Sequence, residues 1–329
     1  MNVIILTILL TTGCTMQDSQ TIKLPSTIFA FNMQQPSYVY INNKKSEFYL
    51  TRKTAKHQSV FGWLNKVDLL LMSESSKDNF GSVFYDNLYT TDIKNQIRDT
   101  LYKANIGKGE IISGAYITPD DSLILVHINY KPLIKDAQGW FYSPLDIVII
   151  DYKQKKEVDR IENFYSYNIH FRQSSAGIFS PEGTKFTYAI SDERNWYTDD
   201  KKEYNLNYKK ENGIYIYDLE SRVHQKIIDG GVDPIWSPDG NTIAYSENKK
   251  VWFYDLKSKE KTLFYQTKDR HTVVKIIWTP DGDNIYILTR EKTKLNPRGI
   301  ITHRLINIKD KSETINGELM KLGLSFFWK

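Results

Sequence analysis

The amino-acid sequence predicts an all-β protein, a six-bladed β-propeller in which each blade is a four-stranded antiparallel sheet. The first observation behind this prediction is a repeated segment, clearest at residues 234–246 (PIWSPDGNTIAYS), where a turn separates two apolar stretches. The second is another repeated hairpin that follows each copy. The third is that the two ends of the chain supply complementary parts of one further blade.

The turn in the first repeated segment has the residues that a type I β-turn prefers. Ser237, Pro238, Asp239 and Gly240 occupy its four positions in order. Pro presets the backbone angle of its position, and Gly accepts the exit geometry without a steric cost. The flanking apolar stretches have the alternation of strands, so the segment is predicted to be a β-hairpin with a structural rather than a reactive turn.

Further copies of this hairpin occur along the chain. Residues 276–288 and 177–190 are close copies, 115–128 has Asp121 in place of the Gly, and 61–73 lacks the Pro. One apolar anchor precedes the turn in each copy, and the final anchor ends the chain: Trp63, Ile117, Phe179, Trp236, Trp278 and Trp328. A four-strand unit that recurs about every 50 residues is typical of a propeller blade.

The second hairpin of each unit has alternating residues, then Asp-Leu, a polar turn and another strand. It is clearest at 213–228 and 250–265, and it recurs with variation at 38–50, 87–101, 146–161 and 303–315. The N-terminal unit lacks a first strand, whereas residues 324–328 form a first strand without a blade. Pairing these two ends completes a sixth blade and closes the ring, which removes exposed strand edges.

This repeat resembles the TolB-type propeller repeat, in which an apolar residue, Trp and Ser-Pro-Asp-Gly precede an alternating strand and a later hydrophobic-Asp-Leu hairpin. Residues 235–245 and 277–287 match it closely, 178–188 and 116–126 well, and 62–71 weakly. The resemblance covers nearly all of the chain after its N-terminal segment. It implies a propeller fold and leaves the activity open, because propellers have many unrelated functions.

The N-terminal segment predicts export from a bacterial cytoplasm. Residues 1–13 are apolar from Val3 to Leu10, too short a stretch to span a bilayer, and they precede Cys14, the single Cys of the chain. Residues 10–14 (LTTGC) resemble a lipoprotein signal, which implies lipidation of Cys14, a polar tether at 14–25 and a propeller at 26–329. By that resemblance the protein is expected at the outer membrane, facing the periplasm. The alternative is an ordinary signal peptide in which Cys14 has no role.

The distribution of charge predicts solvated hairpin tips rather than a nucleic-acid site. The chain has 44 Lys and Arg against 39 Asp and Glu, a net charge of +5, and the basic residues stand mostly in polar turns among acidic ones. The basic residues form no concentrated stripe of the kind that binds nucleic acid. The expectation is a monomer attached to the membrane only through its lipid.

Two long connections carry the residues that we expect to bind a partner. Residues 129–145 contain Trp140, Phe141 and Tyr142, and residues 191–212 contain Trp196, Tyr197, Tyr204 and Tyr208. Exposed aromatic rings beside charges suit a protein interface, because they bury a large area at a low entropy cost. The alternative is that each connection folds its aromatic rings onto its own blade.

A second candidate site lies at the axial mouth of the ring. His57, His170 and His271 precede anchors of alternate blades, so the three imidazoles could converge on a metal or a small ligand. Arg172 and Arg270 flank two of them and could instead hold an anion. Solvent-exposed loop histidines are the simpler interpretation, so no metal or other cofactor is expected.

The sequence favours a binding protein over an enzyme. It contains no nucleophile elbow, zinc-protease helix motif, phosphate loop or paired-Cys metal site. The predicted function is an envelope-anchored module that binds a protein or peptide through its long-connection face. The alternatives are a ligand-dependent lyase or hydrolase at the axial mouth, and a carbohydrate binder that uses Trp140 and Trp196.

Overall fold

In the residues that it describes, the structure, a computed structural model, has β-strands and a short 3₁₀ turn at Ile106–Lys108. Within the residues that it describes, no helix has the length and apolar character needed to cross a membrane. The described residues are 28–32, 37–41, 44–48, 58–64, 69–77, 83–92, 98–130, 134–135, 141–142, 145–165, 169–170, 177–190, 212–268, 271–291, 299–315 and 325–328.

The two ends of the chain share one antiparallel sheet. Its strands are β1 (Ile28–Asn32), β2 (Ser37–Ile41), β3 (Lys44–Phe48) and the last strand of the chain, β26 (Ser325–Trp328). Ile28 pairs with Trp328, and the sheet has the order β26-β1-β2-β3. The pairing of the chain ends is therefore as the sequence predicts, whereas the six-blade count and the closure of the ring stay predictions.

The next two predicted units form one eight-stranded sheet. Its strands are β4 (Gln58–Leu64), β5 (Leu69–Lys77), β6 (Val83–Asp92), β7 (Arg98–Lys103), β8 (Glu110–Ile117), β9 (Leu123–Tyr130), β12 (Leu145–Asp151) and β13 (Lys156–Tyr165). The two halves join through one pair, Tyr85 with Ile112. The first pair between β6 and β7 is Asn87 with Lys103, so the start of β6 keeps an open edge that β8 meets.

The connection between β9 and β12 contains a hairpin of its own. Its strands are β10 (Ile134–Lys135) and β11 (Phe141–Tyr142), which pair in antiparallel fashion. The insert predicted at 129–145 thus has a separate two-stranded sheet.

Three four-stranded sheets follow along the chain, and each has its strands in sequence order. The first contains β14 (Ile169–His170), β15 (Lys185–Ile190), β16 (Gly213–Asp218) and β17 (His224–Asp229). The second contains β18 (Val232–Trp236), β19 (Thr242–Glu247), β20 (Lys250–Asp255) and β21 (Lys261–Gln266). The third contains β22 (His271–Trp278), β23 (Asn284–Glu291), β24 (Ile300–Asn307) and β25 (Glu313–Ile315).

The Ser-Pro-Asp-Gly turn is held together by its own side chains. Ser237 Oγ donates to Asp239 Oδ1, and it accepts the backbone N–H of Thr242 at 2.9 Å. The hydrogen bond from Ser237 lowers the pKa of Asp239, so this carboxylate is charged within the turn. Thr118 and Thr279 make the same two kinds of contact in their copies. The motif is therefore a structural turn, as predicted.

The same turns also pack against one another from sheet to sheet. Gly240 has a φ of 75°, and a Cβ there would lie 3.3 Å from Pro181 of the preceding copy. Gly183 faces Pro119, and Gly282 faces Pro238, in the same way. The copy at 115–128 has Asp121 at φ 59° instead of Gly, and the copy before it has no Pro. Gly is thus found where the preceding turn presents a proline ring.

The second hairpins link neighbouring sheets through basic residues in the left-handed conformation. These residues follow the turn Asp or Asn by four positions: Lys155, Arg222, Lys259 and Lys311, with φ between 52° and 62°. Lys155 forms an ion pair with Asp99 of β7, and Arg222 forms one with Asp159 of β13. The Lys311 ammonium lies 3.7 Å from the ring centroid of Phe264 of β21. Three of the four residues therefore contact the preceding four-strand unit.

The hydrophobic core lies between the faces of neighbouring sheets. Leu88 and Leu101 pack with Ile112, Val126 and Val148 between the two halves of the eight-stranded sheet. Ile147 and Ile149 of β12 pack with Phe186 and other residues of the next sheet, and Ile235 packs with Trp278 across the following boundary. The described clusters thus lie between neighbouring units, as expected for stacked blades.

Candidate functional site

The two long connections leave the same end of their sheets. One joins β9 to β12, the other joins β15 to β16, and both link the second strand of a sheet to the third. Phe141 and Tyr142 lie on β11, within the hairpin of the first connection. The other predicted partner residues lie outside the described residues: Trp140, Trp196, Tyr197, Tyr204 and Tyr208.

The predicted axial-mouth residues are described only in part. His170 ends β14 and His271 begins β22, and each of these is the first strand of its sheet. His57, Arg172 and Arg270 lie outside the described residues, as does Cys14. Convergence of the three histidines therefore stays a prediction. In the described part of the chain, no cluster of three or more His, Cys, Asp or Glu side chains is placed to hold a metal ion.

His271 has a carboxylate partner on the neighbouring strand. It pairs with Glu291 in the β22–β23 ladder, and its Nε2 lies 3.7 Å from Glu291 Oε2. This contact becomes an ion pair when the imidazole is protonated. No carboxylate partner of the histidines is evident from the sequence, because cross-strand neighbours are distant in sequence. The arrangement places one carboxylate beside His271.

A larger polar group lies in the eight-stranded sheet, at the end from which the first long connection leaves. It was not predicted from the sequence. We call it the Arg160 cluster, and its members are Tyr102, Glu110, Tyr130, Asp146, Glu157 and Arg160. Arg160 Nη1 lies 3.2 Å from Glu110 Oε1 and 3.4 Å from Asp146 Oδ2. Its Nη2 donates to Tyr102 Oη at 3.1 Å, and its Nε donates to Glu157 Oε1 at 3.1 Å. One guanidinium thus connects β13 to four other strands, β7, β8, β9 and β12.

Two carboxylates of the Arg160 cluster, those of Glu110 and Asp146, are buried and hydrogen-bonded. The side chains of Glu110 and Asp146 are both 7% exposed. Glu110 Oε2 accepts the Tyr102 hydroxyl at 3.0 Å and the backbone N–H of Asn105 at 2.8 Å. Tyr130 donates its hydroxyl to Asp146 Oδ2. Buried charges need such partners, because desolvation is otherwise costly.

The two phenols of the Arg160 cluster stay protonated at neutral pH. Burial, and then the charge of Glu110, raises the pKa of Tyr102 to about 12. Burial and the hydrogen bond to Asp146 also raise the pKa of Tyr130. Both hydroxyls therefore remain donors to carboxylates that Arg160 also contacts. This arrangement suits a structural link between strands rather than a site of proton transfer.

The three histidines outside the predicted trio contact tyrosine rings. Tyr188 Oη lies 2.5 Å from His224 Nδ1, Tyr286 hydrogen-bonds His303 Nδ1, and the rings of Tyr116 and His127 are 4.7 Å apart. Burial lowers the pKa of His127 to about 3 and that of His303 to about 4. These two imidazoles are therefore neutral core groups. A repeated Tyr–His contact was not evident from the sequence because the spacing within the pairs differs.

Comparison with known proteins shows the fold and not the function. Neither a protein-family model nor a curated protein sequence matches the chain. The chain is similar to a solved structure from Agrobacterium tumefaciens that is provisionally assigned as TolB, with a TM-score of 0.52 and 14% identity over 88% of this chain and 87% of that one.

Two further solved structures are similar over 88% of this chain. An oligogalacturonate lyase in complex with manganese has a TM-score of 0.49 and 11% identity over 84% of its length. A functionally unknown protein from Desulfotomaculum acetoxidans has a TM-score of 0.49 and 12% identity over 78% of its length. The likeness to the TolB structure shows that this chain has a TolB-like β-propeller fold.

Proposed function

We propose that the protein is a closed six-bladed propeller of the bacterial cell envelope that binds a protein or peptide through its long-connection face. The observation that carries this proposal is the contrast between the two ends of the sheets. At one end, the connections at 131–144 and 191–211 are long and rich in aromatic residues. At the other end, the turns are short and bonded within themselves. Long loops on a rigid scaffold commonly carry binding sites.

The β10–β11 hairpin adds support for this proposal. It places Phe141 and Tyr142 on a strand rather than in an irregular loop. A strand fixes the backbone before a partner arrives, so less conformational entropy is lost on binding. Aromatic residues on such a fixed backbone suit the centre of a protein interface.

A deletion tests the binding face directly. Removing residues 195–210 is expected to leave the fold intact and to abolish partner capture, because the deleted segment belongs to the second long connection. The measurement is mild cross-linking in cells, purification through a C-terminal tag, and mass spectrometry of the copurified proteins. Circular dichroism of the purified protein checks the fold.

A matched control uses the opposite end of the sheets. Replacing Lys257 and Lys259 by Gln changes two exposed residues of the β20–β21 turn, and it is expected to leave capture unchanged. If the deletion variant unfolds, or if it captures the same partner as the parent chain, the binding face is wrongly assigned. A partner lost equally from the Gln control would also speak against it.

We further propose that a lipid on Cys14 attaches the propeller to the outer membrane through the tether at 14–25. The lipoprotein-like segment before Cys14 supports this, as does the position of the single Cys at its end. The Cys14→Ser protein is therefore expected to move from the membrane fraction to the soluble periplasmic fraction. Radiolabelled fatty acid should label the parent chain and not the variant, and equal labelling of both would contradict the anchor.

A further inference from the structure

The strands on either side of the first long connection are tied together by a buried hydrogen bond. Tyr130 is the last residue of β9 and Asp146 is the second residue of β12. The Tyr130 hydroxyl donates to Asp146 Oδ2, close to where the chain leaves for the β10–β11 hairpin and returns from it. This bond therefore closes the base of the connection.

Arg160 connects this base to the neighbouring four-strand unit. Its Nη1 lies 3.3 Å from Tyr130 Oη and 3.4 Å from Asp146 Oδ2, so it contacts both residues of this hydrogen bond. Its Nη2 reaches Tyr102 of β7. The base of the connection is thus fixed both along its own strands and against the adjacent unit.

The second long connection has a different base. The strands on either side of it end at Ile190 and begin at Gly213, which pair with each other in the β15–β16 ladder. Neither of these two side chains has a hydrogen-bonding group.

An isolated two-stranded hairpin is only marginally stable, so its orientation depends on what supports it. We infer that the Arg160 cluster is a positioning device, in which Tyr130, Asp146 and Arg160 hold the β10–β11 hairpin in a fixed orientation on the long-connection face. The inference rests on the proposed function for its purpose, because that hairpin carries Phe141 and Tyr142 of the proposed partner surface.

The Tyr130→Phe variant tests this inference. It removes one hydroxyl and keeps the ring, so the packing of β9 is preserved. The measurement is hydrogen exchange of the backbone amides of β10 and β11 in the whole protein. We expect about tenfold faster exchange there than in the parent chain, because a hydrogen bond to a buried carboxylate is lost at the base of the hairpin.

The Tyr188→Phe variant is the matched control. It removes a hydroxyl that bonds His224 in the next sheet, and it is expected to leave exchange in β10 and β11 unchanged. Unchanged exchange in Tyr130→Phe, or an equal increase in both variants, would overturn the inference. If exchange rises in Tyr130→Phe alone while the cross-linked partner is captured as before, the positioning role is supported and the proposed partner surface fails.

Discussion

The Arg160→Met variant is expected to lose about 3–5 kcal/mol of unfolding free energy, the cost typical of removing one partner from a buried ionic group. The carboxylates of Glu110 and Asp146 are both 7% exposed and both face Arg160. With a neutral side chain at position 160, two negative charges remain buried near each other without a cation. Met keeps much of the volume of Arg, so the loss reports charge more than packing. Urea unfolding followed by fluorescence measures the change.

The Arg222→Met variant is the control for this experiment. Arg222 forms an ion pair with Asp159, but its side chain is 53% exposed. An exposed ion pair contributes only about 0–1 kcal/mol, because water and salt screen it. The two variants make the same substitution at an ion pair in the same part of the fold. Equal losses in both would mean that burial of the carboxylates does not govern the contribution of Arg160.

The features of the fold that the sequence predicts are those fixed by short-range chemistry. The Ser237–Gly240 turn is held by bonds among residues within five positions of one another, so its residue types alone identify it. The anchors Trp236 and Trp278 end first strands, as their place before the turn predicts. The pairing of the chain ends is also predictable, because the N-terminal unit lacks a first strand and the C-terminal residues supply one.

The Arg160 cluster could not be predicted because its members are far apart in sequence. Glu110 is the first residue of β8 and Asp146 is the second residue of β12, and nothing local distinguishes them from exposed residues at strand ends. Their burial depends on the stacking of β7 against the next four-strand unit. The contact of Glu291 with His271 could not be predicted for the same reason, since the register of the strands determines which residues face each other across them.

One pattern in the sequence could have revealed contacts between sheets. A basic residue four positions after the turn Asp or Asn occurs at Lys155, Arg222, Lys259 and Lys311. Solvated turn tips were the expectation for these charges. Lys155, Arg222 and Lys311 are exposed, as expected, and each also contacts the preceding unit. A repeated charge at a fixed turn position thus has a structural role.

Acid is expected to weaken the fold through His127, whose pKa burial lowers to about 3 from an ordinary value near 6.5. The unfolded chain takes up a proton as the pH falls through 6.5, whereas the folded imidazole stays neutral until about pH 3. The stabilising difference is therefore complete above pH 6.5 and is lost as the pH falls. Between pH 6.5 and 4.5 this histidine alone is expected to remove about 2 kcal/mol.

The His127→Gln variant isolates this contribution, since Gln does not titrate in this range. Urea unfolding at several pH values should give a shallower loss of stability for the variant than for the parent chain, with the difference confined to pH below about 6.5. Tyr116→Phe is the control: it alters the ring that lies 4.7 Å from His127 but retains the imidazole, so it should keep the parent's pH slope. Parallel pH profiles for His127→Gln and the parent would mean that His127 takes up its proton in the folded state as readily as in the unfolded one. The buried site would then have to open to water at mildly acidic pH, because an imidazole can charge there only when water or a carboxylate solvates it.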